Sequence, residues 1–142
     1  MTEKITRINP ERLHATPGYH HVTVVEAGRT AHLGRTAHLA GQCPLDRRGE
    51  LVGAGSFEEQ TDQVVANALT ALAAVDARPH HVVRSVIYVR SDEREAPATV
   101  WTRLTDSALG PAFTTASTLL GVTQLGFPGQ LVEVDLTAAL PD

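Results

Sequence analysis

Ala116-Ser117-Thr118-Leu119-Leu120-Gly121-Val122 and, after a connection rich in Gly and Pro, Leu131-Val132-Glu133-Val134-Asp135-Leu136 decide the reading of this chain. The second segment alternates apolar and acidic residues. In a strand, that alternation puts Val132 and Val134 on one face and Glu133 and Asp135 on the other. Two strands closing a sheet, the later one carrying a carboxylate on its open side, make one wall of a candidate binding site.

Working back from these strands, Pro97 introduces a helix predicted over about Ala98–Leu109 and stopped by Gly110-Pro111, with Trp101, Leu104 and Ala108 on its apolar side. Val82–Val89 reads as a strand. Val64, Val65, Ala68, Leu69, Leu72 and Val75 recur at helical spacing. This helix opens on Ser56-Phe57-Glu58-Glu59, a capping-box start, and its polar residues Gln60, Asp62, Gln63, Asn67 and Thr70 fall largely on its other faces. Val22–Val25 is a short β-branched strand. Residues 1–18 form an irregular or extended lead-in broken by Pro10, Pro17 and Gly18. The order of three strands, helix, strand, helix and two strands predicts an α+β protein, a mixed β-sheet with helices on one face.

Gly28-Arg29-Thr30-Ala31-His32-Leu33 is repeated immediately as Gly34-Arg35-Thr36-Ala37-His38-Leu39. Six is an even number, so one inserted copy in a strand preserves which side chains face inward. The duplication either lengthens a hairpin or loop, or modifies the rim of a pocket.

Composition narrows the classes of function. The 142 residues suit one domain, 1–142, with a proper core. A net charge of −4 without a basic run lacks the footprint of nucleic-acid binding. No apolar stretch approaches membrane-spanning length, and the N-terminus lacks a secretory signal. One cysteine excludes an internal disulfide and points to a reducing, cytoplasmic setting. Adjacent pairs His20-His21 and His80-His81 would point to opposite faces in a strand. No HExxH or Cys/His ligand spacing occurs, so no metal is expected. Nor does a G-x-S-x-G elbow surround Ser117 as it would a nucleophile.

Gly41-Gln42-x-Pro44, the helix running through Gln60, Asn67 and Leu72, and Gly121 with Leu131-Val132-Glu133-Val134 occur in the order and spacing of the Rid (YjgF-type) family, which the chain resembles from about Gly18 to Ala139. The resemblance implies a chorismate-mutase-like fold with two helices packed on one face of the sheet, and a homotrimer with clefts between subunits. It also implies a small-molecule substrate and no cofactor. Deaminating members hydrolyse 2-imino or 2-enamino acids. Glu133 matches the glutamate that positions water, and Tyr19, after Gly18, matches a tyrosine that reaches the cleft. Gly41, with Gln42 and Cys43 beside it, matches the position offering backbone groups to the ligand. Ser117, followed by Thr118 and Leu119, stands where deaminating members carry an arginine. A serine hydroxyl makes a neutral hydrogen bond but cannot supply the charge of a bidentate guanidinium.

The expected function is therefore that of a Rid-family enzyme acting on an imine, enamine or related reactive intermediate by hydrolysis, tautomerisation or cyclisation, and not on the standard 2-imino acid. The alternative is a non-catalytic trimeric module that binds a small ligand or another protein. Arg103 and Arg35 are the other arginines that could substitute for the missing cation. Each candidate also has a plainer reading: Glu133 as an exposed acid on an alternating strand, Cys43 as an inert buried thiol, Tyr19 as a surface aromatic. His20 or His21 is a further candidate for acid/base work.

Overall fold

A computed structural model of the chain describes residues 5–9, 11, 15, 18, 22–25 and 35–141. The strands are β1 (Ile5–Ile8), β2 (Val22–Val25), β3 (Thr36–His38), β4 (Val82–Arg90), β5 (Ala116–Val122) and β6 (Val132–Ala139). The helices are α1 (Phe57–Ala73) and α2 (Glu95–Thr105), with 3-10 turns at Pro79–His81 and Gly110–Phe113. β1 and β2 pair antiparallel as a separate ribbon, so the lead-in contains a strand. Arg7 of β1 ties this ribbon to the main body by donating to the His80 carbonyl at 2.7 Å.

The main sheet has the order β3-β6-β4-β5. β4 and β5 are parallel and joined through α2, whereas β6 runs antiparallel to both β3 and β4. Alternation sorts the faces. Val132, Val134, Leu136 and Ala138 of β6, with Ser85, Ile87 and Val89 of β4, are buried. They lie in one layer with Val64, Val65, Ala68 and Leu72 of α1 and Ala96, Val100 and Leu104 of α2. Both helices thus pack on one face of a mixed sheet, as the order of elements predicts. No helix among the described residues is long and apolar enough to cross a membrane.

Ser56 caps α1, its hydroxyl accepting from the Glu59 amide at 3.1 Å. The helix closes where Asp76 turns left-handed (φ 56°) and the Ala77 amide returns to the Leu72 carbonyl at 2.9 Å. α2 departs from expectation at both ends. It begins at Glu95, with Pro97 inside its first turn, where the missing N–H has no intrahelical partner to lose. It ends at Thr105 because the Ser107 hydroxyl donates to the Leu104 carbonyl at 2.6 Å and accepts from the Leu109 amide. Ala108 consequently lies outside the helix and is exposed, while Ala96 and Val100 join Leu104 in its buried stripe. Trp101 packs edge-on against Phe113, with ring centroids 6.0 Å apart.

His80 and His81 also differ from the strand reading. They lie in the 3-10 turn, their rings 4.1 Å apart, and His81 Nδ1 accepts from the Arg78 amide at 2.9 Å.

Candidate functional site

The second copy of the hexapeptide supplies β3, and its exit from the sheet builds the site. Thr36, Ala37 and His38 pair with Ala139, Ala138 and Thr137. After the Leu39 amide meets the Leu136 carbonyl, the next pairing is Gln42 with Val134, closed by bonds of 2.7 and 3.1 Å. One more residue is used on this strand than on β6, which makes a β-bulge around Ala40-Gly41. The bulge lays the Gly41 backbone against the Glu133 side chain so closely that a Cβ there would collide with Oε1 and stand 2.8 Å from Cδ. Gly41 is required because only a residue without a side chain leaves room for that carboxylate.

Glu133 is held from its other side. Gln130, fully buried, donates from Nε2 to Glu133 Oε2 at 3.3 Å and to the Val132 carbonyl at 3.1 Å, and its Oε1 accepts from the Phe127 amide at 3.2 Å. Cys43 is half-buried beside them, its thiol 3.7 Å from the Gly41 carbonyl. Burial, and then the Glu133 charge, push the thiol above its ordinary value against an opposing hydrogen bond with Gln130. The thiolate is therefore disfavoured.

Two amides on α1 fix the loops around this cluster. Gln60 is fully buried, donating to the Gly53 and Gly129 carbonyls at 3.2 and 3.0 Å and accepting from the Leu131 amide at 2.7 Å. Asn67 donates to the Cys43 and Leu45 carbonyls, each at 2.9 Å. The sequence reading groups both with the residues largely on the other faces of α1; the structure buries Gln60 and half-buries Asn67. Each amide replaces the strand partners that the loop backbone lacks, which offsets the cost of burying Gln60 fully and Asn67 in part. The signal was present as neutral amides on the edge of the apolar stripe, without charge. Gln130, in a connection with no periodicity, gave no such signal.

The sheet register distributes the remaining candidates. Glu133 lies opposite Tyr88, and Tyr88 opposite Leu120, forming one row across β6, β4 and β5 on the face without helices. Asp135, Val86 and Thr118 form the next row of that face. Ser117 is opposite Ser85, whose buried hydroxyl donates to it at 2.6 Å, and Leu119 is opposite Ile87. The structure thus brings Gly41, Cys43 and Glu133 together and places Thr118 on their face. Gln42 joins them through its backbone, while its side chain donates to the Ala40 carbonyl. Ser117 and Leu119 project on the helix-bearing side. Tyr19, His20, His21 and the first hexapeptide copy lie outside the described residues.

Neither arginine named from the sequence reaches the Glu133 face. Arg103 is engaged with Asp62 through two bonds of 2.8 and 2.7 Å on the outer surfaces of the helices. The pairing holds the Asp62 carboxyl below its usual range. Arg35 lines a groove of about 710 Å³ between the β3 edge and α1, with His38, Ala71 and Val75. Among the described residues, no group of three His, Cys, Asp or Glu is placed to hold a metal ion.

Two helices on one face of a β3-β6-β4-β5 sheet, with a carboxylate packed on a glycine bulge, define a Rid-type α+β protein. The chain belongs to the YjgF/Rid family: the family model described as Endoribonuclease L-PSP matches residues 11–140. It is similar to a protein of unknown function of the Rid family, YyfB from Yersinia pestis, at 31% identity over 97% of this chain and 100% of that one, with a TM-score of 0.80. YyfA from the same organism, also of unknown function, is 22% identical over 96% and 99% of the two chains, with a TM-score of 0.64. A putative endoribonuclease from Thermotoga maritima is 25% identical over the full length of both, with a TM-score of 0.60. No curated protein is matched by the sequence.

Proposed function

We propose that the protein processes a small imine, enamine or related reactive intermediate on the open sheet face, with Glu133 as the base that positions water or moves a proton. One observation carries this reading: a carboxylate is fitted between the Gly41 bulge and the buried amide of Gln130, an arrangement that a merely solvated acid does not need. In hydrolysis, Glu133 takes a proton from water as the oxygen adds to the C=N carbon and the nitrogen is protonated. Collapse of the adduct breaks the C–N bond and releases ammonia and the carbonyl product. Backbone groups at Gly41 would bind polar atoms of the substrate, and Thr118 offers a hydroxyl on the same face. No cofactor enters this scheme. Because Ser117 supplies no charge and faces the other side, recognition differs from that of a standard 2-imino acid deaminase.

Family membership and the apolar residues on the helix-free face also support a homotrimer in which the clefts lie between subunits. Val86, Tyr88, Leu120 and Val122 leave apolar surface on that face, with Leu120 40% exposed.

The test is ammonia release from a panel of small imines generated in situ, by the wild type and by Glu133→Gln. Expected is turnover above the buffer rate, reduced about 100-fold in the variant. Equal rates in the two proteins, or none above buffer, would overturn the reading in favour of a non-catalytic ligand-binding module.

A further inference from the structure

Hydrolysis on the Glu133 face moves two protons in its first step. Water gives one up as its oxygen adds to the C=N carbon, and the nitrogen receives one as the π electrons move onto it. A single carboxylate cannot take a proton and donate one at the same instant, so a second group is needed across the reacting bond. Glu133 itself is drawn toward β3, packed on the Gly41 backbone while Gln130 holds Oε2. The other side of its row, over β4 and β5, is left to the substrate and to that second group.

Tyr88 stands there. It is the β4 residue directly opposite Glu133, and the Cβ atoms of such a pair are about 5 Å apart. Its ring is half-buried, and among the described residues its hydroxyl has no hydrogen-bond partner. The other donors suit the task less well. The Cys43 thiol lies on the carboxylate's own side and is directed at the Gly41 carbonyl. Thr118 is one row away, and an aliphatic hydroxyl is a far weaker acid than a phenol. The charged groups facing Tyr88 are Glu133 and, a row farther, Asp135 on β6, with Arg84 and Arg90 on β4 itself. β5 offers only Thr118, Leu120 and Val122 on this face, and β2, which also touches β4, holds only Val and Thr. Glu133 is neutral once it has taken a proton, and the positive charge of Arg90 then favours the phenolate.

We propose that Tyr88 is the proton donor of this site, the acid that faces the Glu133 base across the C=N bond of the substrate. The inference rests on the reading of Glu133 as that base. In the addition, Glu133 accepts a proton from water, the oxygen bonds to carbon, and the Tyr88 hydroxyl gives its proton to nitrogen. A carbinolamine, a protonated Glu133 and a Tyr88 phenolate result. Collapse reverses both roles. The phenolate takes the carbinolamine O–H proton, Glu133 gives its proton to nitrogen, and the C–N bond breaks to release the carbonyl product and the amine or ammonia. Both side chains end as they began, and water is the only co-reactant. A neutral donor also selects the substrate class. It serves a weakly basic imine that binds unprotonated, whereas an iminium already carries the proton that Tyr88 would supply.

The probe is the trifluoroethylamine imine of acetone, a weakly basic imine, with amine release by the full chain followed by fluorine NMR. Tyr88→Phe keeps the ring and should lower kcat about 100-fold with KM little changed. In the wild type, kcat should fall at alkaline pH as the donor ionises. That limb should be absent in Tyr88→Phe and should move to lower pH when a ring-fluorinated tyrosine, a more acidic phenol, occupies position 88. A residue acting only through packing would leave the limb in place. An unchanged kcat in Tyr88→Phe, a rise in KM alone, or an alkaline limb that the fluorinated phenol does not shift would overturn the proposal. Greater acceleration of the more basic ethylamine imine would overturn the substrate class. The two readings fail separately. Glu133-dependent turnover that is indifferent to Tyr88 removes only the donor, whereas a wild type without imine turnover removes the Glu133 reading and the donor with it.

Discussion

At the scale of single residues, Gly41 and Glu133 are one unit. The atoms that a Gly41 Cβ would strike belong to the mobile end of a side chain, so the fold can accommodate an alanine by displacing the carboxylate. Gly41→Ala is expected to cost about 1 kcal/mol of stability. Turnover should fall at least about tenfold, because a displacement of an ångström at a reacting group is costly. Thermal melting and the imine assay, run on the same preparation, separate the two effects. A large loss of melting temperature with unchanged turnover per folded molecule would show that the bulge supports the fold and not the carboxylate.

At the scale of elements, the 3-10 turn at Pro79–His81 makes the fold sensitive to acid. Burial, then the charges of His80 and Arg78, hold the His81 imidazole below its ordinary value of 6.5. Its Nδ1 must stay unprotonated to accept from the Arg78 amide. The unfolded chain therefore binds this proton more readily. The stabilisation from His81 is complete above pH 6.5 and is lost as pH falls through the lower folded value. In His81→Asn, melting temperature should decline less than in wild type between pH 7.5 and 5, and parallel curves would contradict the assignment.

The same scale shows what the sequence could convey. The capping Ser56, the period of α1 and the alternation of β6 are local patterns, and each yields its element directly. The start of α2 was obscured because proline fits equally well at the first helical position and within the first turn. The face of Ser117 depends on pairing with β4, and Leu119-Leu120 on an edge strand breaks the alternation that would have revealed it. Glu133 and Gly41 were recognisable through the family pattern. Gln130 reaches Glu133 only because the β5–β6 connection crosses β4, a fact of topology that no local window contains.

At the scale of the whole molecule, both helices lie on one side of the sheet. If the helix-free face is an interface between subunits, a charge at its centre should be disruptive. Leu120→Glu is expected to convert a trimeric mass in light scattering to that of a monomer while leaving far-UV circular dichroism unchanged. A wild type that is already monomeric, or a variant that stays trimeric, would place the interface elsewhere.

β6 lies between β3 and β4, although it is the last strand in the sequence, and Thr36 finds its partner Ala139 about a hundred residues away. Until residues 132–139 arrive, β3 has no neighbour in the sheet and β4 keeps one open edge. The β4-α2-β5 unit can assemble early from nearby segments, but joining it to β3 waits for a closure of high contact order. Glu133 rides on the strand that makes this closure. During synthesis the chain therefore builds its scaffold first, and the Glu133 carboxylate reaches its glycine only as this strand slides home.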